Sequence, residues 1–208
     1  MRELEILAGS RRRDVLRALL AGGAMAAPGI GGLIAFGCRE RPRRPAHRKG
    51  PSAVDRRTWR PAYLALERSG ALKKREAQLW SILAACKLCP RQCGVNRLRG
   101  ETGRCRSTAT LKLASYGPHN GEERPLVGRK GSGTVFFSNC NLLCVFCQNW
   151  QINHRGDGVL ITPDTLADAM LSLQKRGCHN INLVTPTHIA PLIVTALRKA
   201  IGKGLRLP

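Results

Sequence analysis

The chain is short of acid. Its 208 residues include 13 Asp and Glu against 35 Lys and Arg, for a formal net charge of +22. It is also short of aromatic rings, which make up 4% of the residues. Scarce aromatics argue against the stacking platforms that hold single-stranded nucleic acids, although positive charge alone attracts phosphate. The basic excess is uneven. Residues 1–130 hold 28 Lys and Arg against 10 Asp and Glu, whereas residues 131–208 hold 7 against 3. A strongly apolar run is missing too. Ala18 to Phe36 is uncharged over 19 residues, but five glycines and Pro28 make it a poor membrane-spanning helix.

What is present divides the chain into four stretches. Residues 1–38 resemble a twin-arginine export signal: Arg11-Arg12-Arg13-Asp14-Val15-Leu16-Arg17 precedes the weakly apolar run. Such signals send out proteins already folded around a cofactor; a start codon assigned too far upstream is the alternative. Residues 39–61 are rich in Arg and Pro, with little to bury, and read as a basic linker. Residues 62–130 are a helical and Cys-rich region in which Gly70 is expected to divide Ala62–Ala85 into two helices. Residues 131–208 form the fourth.

Nine cysteines would suggest disulfides in a short secreted chain, but seven of them fall into two groups with metal-ligand spacing. Cys38 and Cys178 stand alone, the latter as a small buried residue. The first group is Cys86-x2-Cys89-x3-Cys93-x11-Cys105, with Pro90, Gly94, Gly100 and Gly103 to turn the chain. Four soft sulfur ligands suit a closed tetrahedral zinc site or a [4Fe–4S] cluster, and residue types alone do not separate the two. The basic residues nearby, Lys87, Arg91, Arg97, Arg99, Arg104 and Arg106, favour the thiolate form over a disulfide. The second group is Cys140-x3-Cys144-x2-Cys147, placed after the apolar run Thr134–Ser138. Three thiolates on a four-iron cube leave one iron open for chemistry, and the spacing differs from that of ferredoxins. A zinc knot or three buried thiols are the alternatives.

Hydrophobic periodicity places the second group in an α/β frame. A short strand is expected at Thr110–Tyr116, a loop at His119–Pro125 and a buried parallel strand at Thr134–Ser138. A helix capped by Asp164 should run to about Arg176. It is followed by a strand at Ile181–Val184, a helix at Ala190–Ala200 and the beginning of a strand at Leu205–Pro208. The order β-loop-α-β-loop-α-β is parallel α/β architecture.

The spacing C-x3-C-x-aromatic-C, with Phe146 in the aromatic place, resembles the signature of radical S-adenosylmethionine (SAM) enzymes. Three runs are similar to a branch of uncharacterised proteins likened to pyruvate formate-lyase activating enzymes. They are Cys-Lys-Leu-Cys-Pro-Arg-Gln-Cys-Gly-Val-Asn-Arg (86–97), Gly-Ser-Gly-Thr-Val-Phe-Phe-Ser-Asn-Cys-Asn-Leu-Leu-Cys-Val-Phe-Cys-Gln-Asn (131–149) and Asn-Ile-Asn-Leu-Val-Thr-Pro-Thr-His (180–188). The resemblance implies a [4Fe–4S] cluster on Cys140, Cys144 and Cys147, with SAM on the fourth iron and Phe146 near its adenine. Reductive cleavage of SAM would give a 5′-deoxyadenosyl radical, and in activases the substrate is a glycyl residue of a partner protein. An electron donor of flavodoxin or ferredoxin type is implied. The fold implied is the N-terminal portion of a partial (β/α)6 TIM-like barrel behind a small Cys-rich metal-binding segment, so the chain reads as truncated. Where such enzymes often carry Gly-Gly-Glu after the second strand, this chain has Thr185-Pro186-Thr187-His188, which makes Thr187 and His188 candidate SAM or substrate contacts. SAM chemistry points to the cytoplasm, the N-terminus to export, and membrane contact only through that N-terminal segment. Competing readings are an RNA-modifying or RNA-binding radical SAM or zinc protein, an exported two-cluster electron-transfer protein, and an inactive fragment.

Overall fold

Gly70 does divide the first helical run. It sits in the left-handed region at φ 73°, between helices α1 (Ala62–Arg68) and α2 (Ala71–Ile82). The computed structural model describes residues 59–208. The signal-like segment 1–38 with Cys38, and linker residues 39–58, lie outside the described residues. After α2 the chain winds through the four-cysteine segment. It then forms β1 (Leu111–His119), the single turn α3 (Arg124–Val127) and β2 (Ser132–Phe137). The three-cysteine loop follows, then β3 (Val159–Ile161), α4 (Pro163–Lys175), β4 (Ile181–Val184) and α5 (Ala190–Gly202). Among the described residues no helix is long and apolar enough to cross a membrane.

The four strands make one mixed sheet in the order β3-β1-β2-β4. Only β2 and β4 pair in parallel, from Gly133 opposite Ile181 to Phe136 opposite Val184. β1 runs antiparallel to both β2 and β3; the two strands expected to be parallel, β2 and β4, are so, and β1, for which no direction is expected, makes the sheet mixed. The connections explain the difference. A short link without a crossover helix returns the chain from β1 to β2 antiparallel, whereas α4 supplies the long crossover that a parallel pair needs. Because β1 belongs to the region expected to be helical and Cys-rich, the sheet crosses the 130/131 boundary. Leu205–Pro208 is not a strand, although the Pro208 carbonyl accepts from the Ile181 N–H at 2.8 Å.

β2 is the anchor of the core. Val135 and Phe137 are fully buried, facing Leu111 and Leu113 of β1 and Leu166, Met170 and Leu173 of α4. Ala196 and Ala200 keep α5 close against these residues. The cap of α4 is Thr162, whose Oγ1 accepts from the Thr165 N–H at 3.2 Å. The expected cap, Asp164, instead lies in the first turn and pairs with Lys199 of α5 at 2.9 Å. On the far side of α5, Arg198 binds Glu67 of α1 through two nitrogens and also Glu76 of α2. The two carboxylates hold the Arg198 guanidinium charged and its pKa above the ordinary value. This fork ties α1 and α2, which lead directly into the first cysteine group, to the sheet layer.

Candidate functional site

The parallel register of β2 and β4 brings two loops out of the same end of the sheet. β2 leads into Ser138-Asn139-Cys140, and β4 leads into Thr185-Pro186-Thr187-His188. Carboxyl ends of adjacent parallel strands are the usual place for a site in α/β folds. The backbone is strained here. Asn139 (φ 67°), Leu143 (φ 53°) and Thr185 (φ 55°) all occupy the left-handed region without being glycine. The two loops are joined by His188, whose Nε2 lies 3.1 Å from the Ser138 carbonyl. A carbonyl only accepts, so Nε2 carries the proton. His188 is 1% exposed, and burial, then the nearby Arg97 charge, push its pKa down to about 4 against the pull of the Ser138 carbonyl. The imidazole is therefore neutral at neutral pH.

Within the loop, Cys140 is buried, Cys147 half-buried and Cys144 exposed. The Leu142 N–H donates to Cys140 Sγ at 3.3 Å. Just beyond, Gln151–Arg155 forms a π-helical turn, a geometry that often marks functional positions. It folds back on the cysteines. Asn153 Nδ2 donates to Cys147 Sγ at 3.2 Å, and His154 Nε2 lies 3.0 Å from the Cys144 carbonyl. Asn153 is 4% exposed and its Oδ1 has no partner. Gly156 closes the turn at φ 78°, where a Cβ would stand 2.6 Å from Asn139 Oδ1. Phe146 is 88% exposed, Val145 92% and Thr187 exposed, so the rim of this loop is an uncovered apolar edge.

The first cysteine group is built differently. The Cys86 N–H donates to the Val95 carbonyl at 2.9 Å, the Gly94 N–H to Cys86 at 3.0 Å and the Gln92 N–H to Cys89 at 3.0 Å. These bonds close the segment into a knuckle. Cys86, Cys89, Cys93 and Cys105 all line one small cavity, together with Arg97 and His188. Gly103 must lack a side chain, since a Cβ there would lie 2.7 Å from Cys93 Sγ. The eight cysteines at positions 86 to 178 are all free thiols, so no disulfide competes for these sulfurs. Among the described residues no three Cys, His, Asp or Glu side chains already stand around one point as a metal would require. The backbone thus gathers four thiols at one cavity.

Of the six basic residues that flank this group in the sequence, only Arg97 is buried, at 1% exposure. Its guanidinium donates to the His188 carbonyl at 2.6 Å, to the Thr108 carbonyl at 2.6 Å and to Cys86 Sγ at 3.9 Å. Arg91 reaches the Asn141 and Leu142 carbonyls, and Arg106 reaches that of Asn153. The knuckle therefore rests against both loops of the sheet end. Asn153, and the burial of Arg97 among other exposed arginines, are features that sequence reasoning did not single out. The π turn leaves no periodic signal, and a buried Arg looks like any other in a basic chain.

Comparison with known proteins adds one relative. Over 73 residues, 35% of this chain, it is 45% identical to an uncharacterised protein of Methanocaldococcus jannaschii. The chain spans about a fifth of that protein's length. No protein-family model matches the chain, and no solved structure matches it.

Proposed function

We propose that this chain carries the cluster-binding part of a radical SAM iron–sulfur enzyme. Cys140, Cys144 and Cys147 would hold a [4Fe–4S] cluster, with SAM as the second cofactor. The observation that carries the reading is the meeting of the Cys140–Cys147 loop and the Thr185–His188 loop at the carboxyl ends of two adjacent parallel strands, β2 and β4, joined by His188. The donor types suit the group, although the three sulfurs do not already stand around one point. Three thiols lie within one eight-residue loop, and two of them already receive N–H hydrogen bonds of the kind that steady cluster sulfurs. Bound there, the cluster and SAM would supply one-electron cleavage of the sulfonium bond and hydrogen abstraction from a substrate.

The chain's own residues do the positioning. His188 fixes the spacing of the two loops, Asn153 orients Cys147, and Leu142 orients Cys140. Phe146 and Thr187 stand exposed at the rim, where they would contact SAM or substrate. A glycyl residue of a partner protein is the substrate in the activase reading, and a flavodoxin- or ferredoxin-type protein would deliver the electron. Cys86, Cys89, Cys93 and Cys105 would form a separate closed metal site with a structural role, since four ligands leave no open position. The test is electron paramagnetic resonance of the anaerobically reconstituted, dithionite-reduced protein with and without SAM. SAM on the open iron should change the cluster spectrum; an identical spectrum at saturating SAM would overturn the proposal.

A further inference from the structure

The charge and size of the first cysteine cavity carry a more specific statement, which rests on the reading of residues 86–105 as a closed metal site. Arg97 is a buried cation, and among the described residues it pairs with no carboxylate. Two carbonyls take part of its hydrogen-bonding capacity, and its Nε–H has no partner at all. Burying such a charge against neutral thiols is costly, because buried charges persist where an opposite charge compensates them. The groups around the same cavity that can supply negative charge are the four cysteines, one of which Arg97 already touches through Cys86 Sγ.

We infer that Cys86, Cys89, Cys93 and Cys105 bind a single zinc ion, with Arg97 as the buried counter-cation of the tetrathiolate centre. Four thiols release their protons to solvent as their sulfurs bind a divalent ion, leaving a centre of net charge −2 beside the guanidinium. Zinc and a four-iron cluster would both satisfy the sulfurs, and the small cavity favours the single ion. Its volume is about 10 Å³, room for roughly one water-sized sphere. Either group needs the cysteine side chains to turn, and a single ion asks for far less displacement of this small cavity than a cube of four irons and four sulfides. Zinc has no redox chemistry, so the centre is a clamp. Through Arg97 and the His188 carbonyl it fixes the loop whose imidazole holds Ser138, two residues before Cys140.

The test is elemental analysis of the whole 208-residue chain, purified anaerobically, alongside a variant with Cys140, Cys144 and Cys147 all changed to Ala. One zinc per chain is expected in both, and acid-labile sulfide should be absent from the variant. About four irons with matching sulfide in the variant, or no metal there, would overturn the inference. The iron difference between the two proteins separately decides the cluster at Cys140–Cys147, so the two readings fail independently. Arg97 is tested by chelator competition. Arg97→Gln should weaken zinc retention on the order of 10–100-fold, the usual effect of losing an outer-shell partner, and Arg97→Lys should restore most of it. Equal retention in wild type and Arg97→Gln would remove the counter-cation role, whatever the zinc count.

Discussion

The four-cysteine knuckle and the three-cysteine loop present the same atom, a thiol sulfur, in different surroundings. In the knuckle, Cys86 and Cys105 are buried, the backbone is closed by short-range hydrogen bonds, and a buried Arg97 supplies countercharge. In the loop, Cys144 is exposed, the flanking backbone is strained at Asn139 and Leu143, and the rim residues Val145 and Phe146 are almost wholly uncovered. Each set also has a member that breaks the pattern, Cys93 exposed in the knuckle and Cys140 buried in the loop; a more enclosed site suits a structural ion, and a more open one can admit a second ligand. The proposed roles, structural for the first set and chemical for the second, rest on this contrast. The two regions also touch: Arg91, Arg97 and Arg106 of the knuckle donate to carbonyls of the two loops and of the π turn.

The hardest blow to that contrast would come from the loop. Changing Cys140, Cys144 and Cys147 together to Ala should remove about four irons per reconstituted chain. Thermal stability should change little, because Cys144 is exposed, Cys147 half-buried and none of the three belongs to the core cluster. Inductively coupled plasma analysis and circular dichroism melting measure the two quantities. Unchanged iron would sink the assignment. The mirror experiment is Cys89→Ser, expected to release the knuckle and cost several kcal/mol, since metal binding supplies folding energy to so small a segment. Limited proteolysis should then cut within residues 86–110, while iron at the other set persists. Loss of iron without loss of stability would reverse the two roles.

His188 sharpens the comparison because it belongs to both regions, lining the knuckle cavity while holding Ser138. Its pKa lies at about 4 in the folded chain against 6.5 for the free side chain. The native state therefore stays neutral while the unfolded chain takes up a proton. Stability is fully present above about pH 6.5 and is lost as pH falls toward 4, by about 3 kcal/mol at most. Denaturation of wild type and His188→Gln at pH 7 and pH 4.5 measures it: the part of the pH dependence due to His188 should vanish in the variant. Identical pH slopes would show that the imidazole is not held neutral by its surroundings.

Elements with a local signature were legible in the sequence. The strands at β2 and β4, the helices at α4 and α5, and the break at Gly70 follow from side-chain periodicity and one glycine. What failed to show was set by distant pairing or by a single atom. The direction of β1 depends on which strand it meets, and β3 is three mostly exposed residues with too few apolar contacts to mark it. Thr162 and Asp164 are both good caps by type, and only backbone geometry chooses Thr162. At the site, all seven clustered cysteines stood out by spacing, as did Thr187 and His188 by position. The cavity that joins His188 to the first group comes from tertiary packing, which no local pattern encodes.

The smallest effect discriminates most finely. Asn153 donates to Cys147 Sγ at 3.2 Å, while its buried Oδ1 is left without a partner. If Cys147 were an ordinary thiol, replacing Asn153 by the similarly sized Leu would remove a weak N–H···S contact and an unsatisfied oxygen together. A thiol sulfur is a weak acceptor, so losing that one donor costs little, and removing the unsatisfied buried oxygen offsets it. If Cys147 is a cluster ligand, the same change strips a charge-assisted donor from a metal-bound sulfur, a loss of about 1–3 kcal/mol falling on the cluster alone. Asn153→Leu should therefore leave the melting temperature of the iron-free protein level or slightly raised. The loaded protein should lose its cluster faster under air, read as decay of the visible absorbance. Equal decay in variant and wild type would mean that Asn153 serves only the fold of the π turn and that Cys147 gains nothing from it as a ligand.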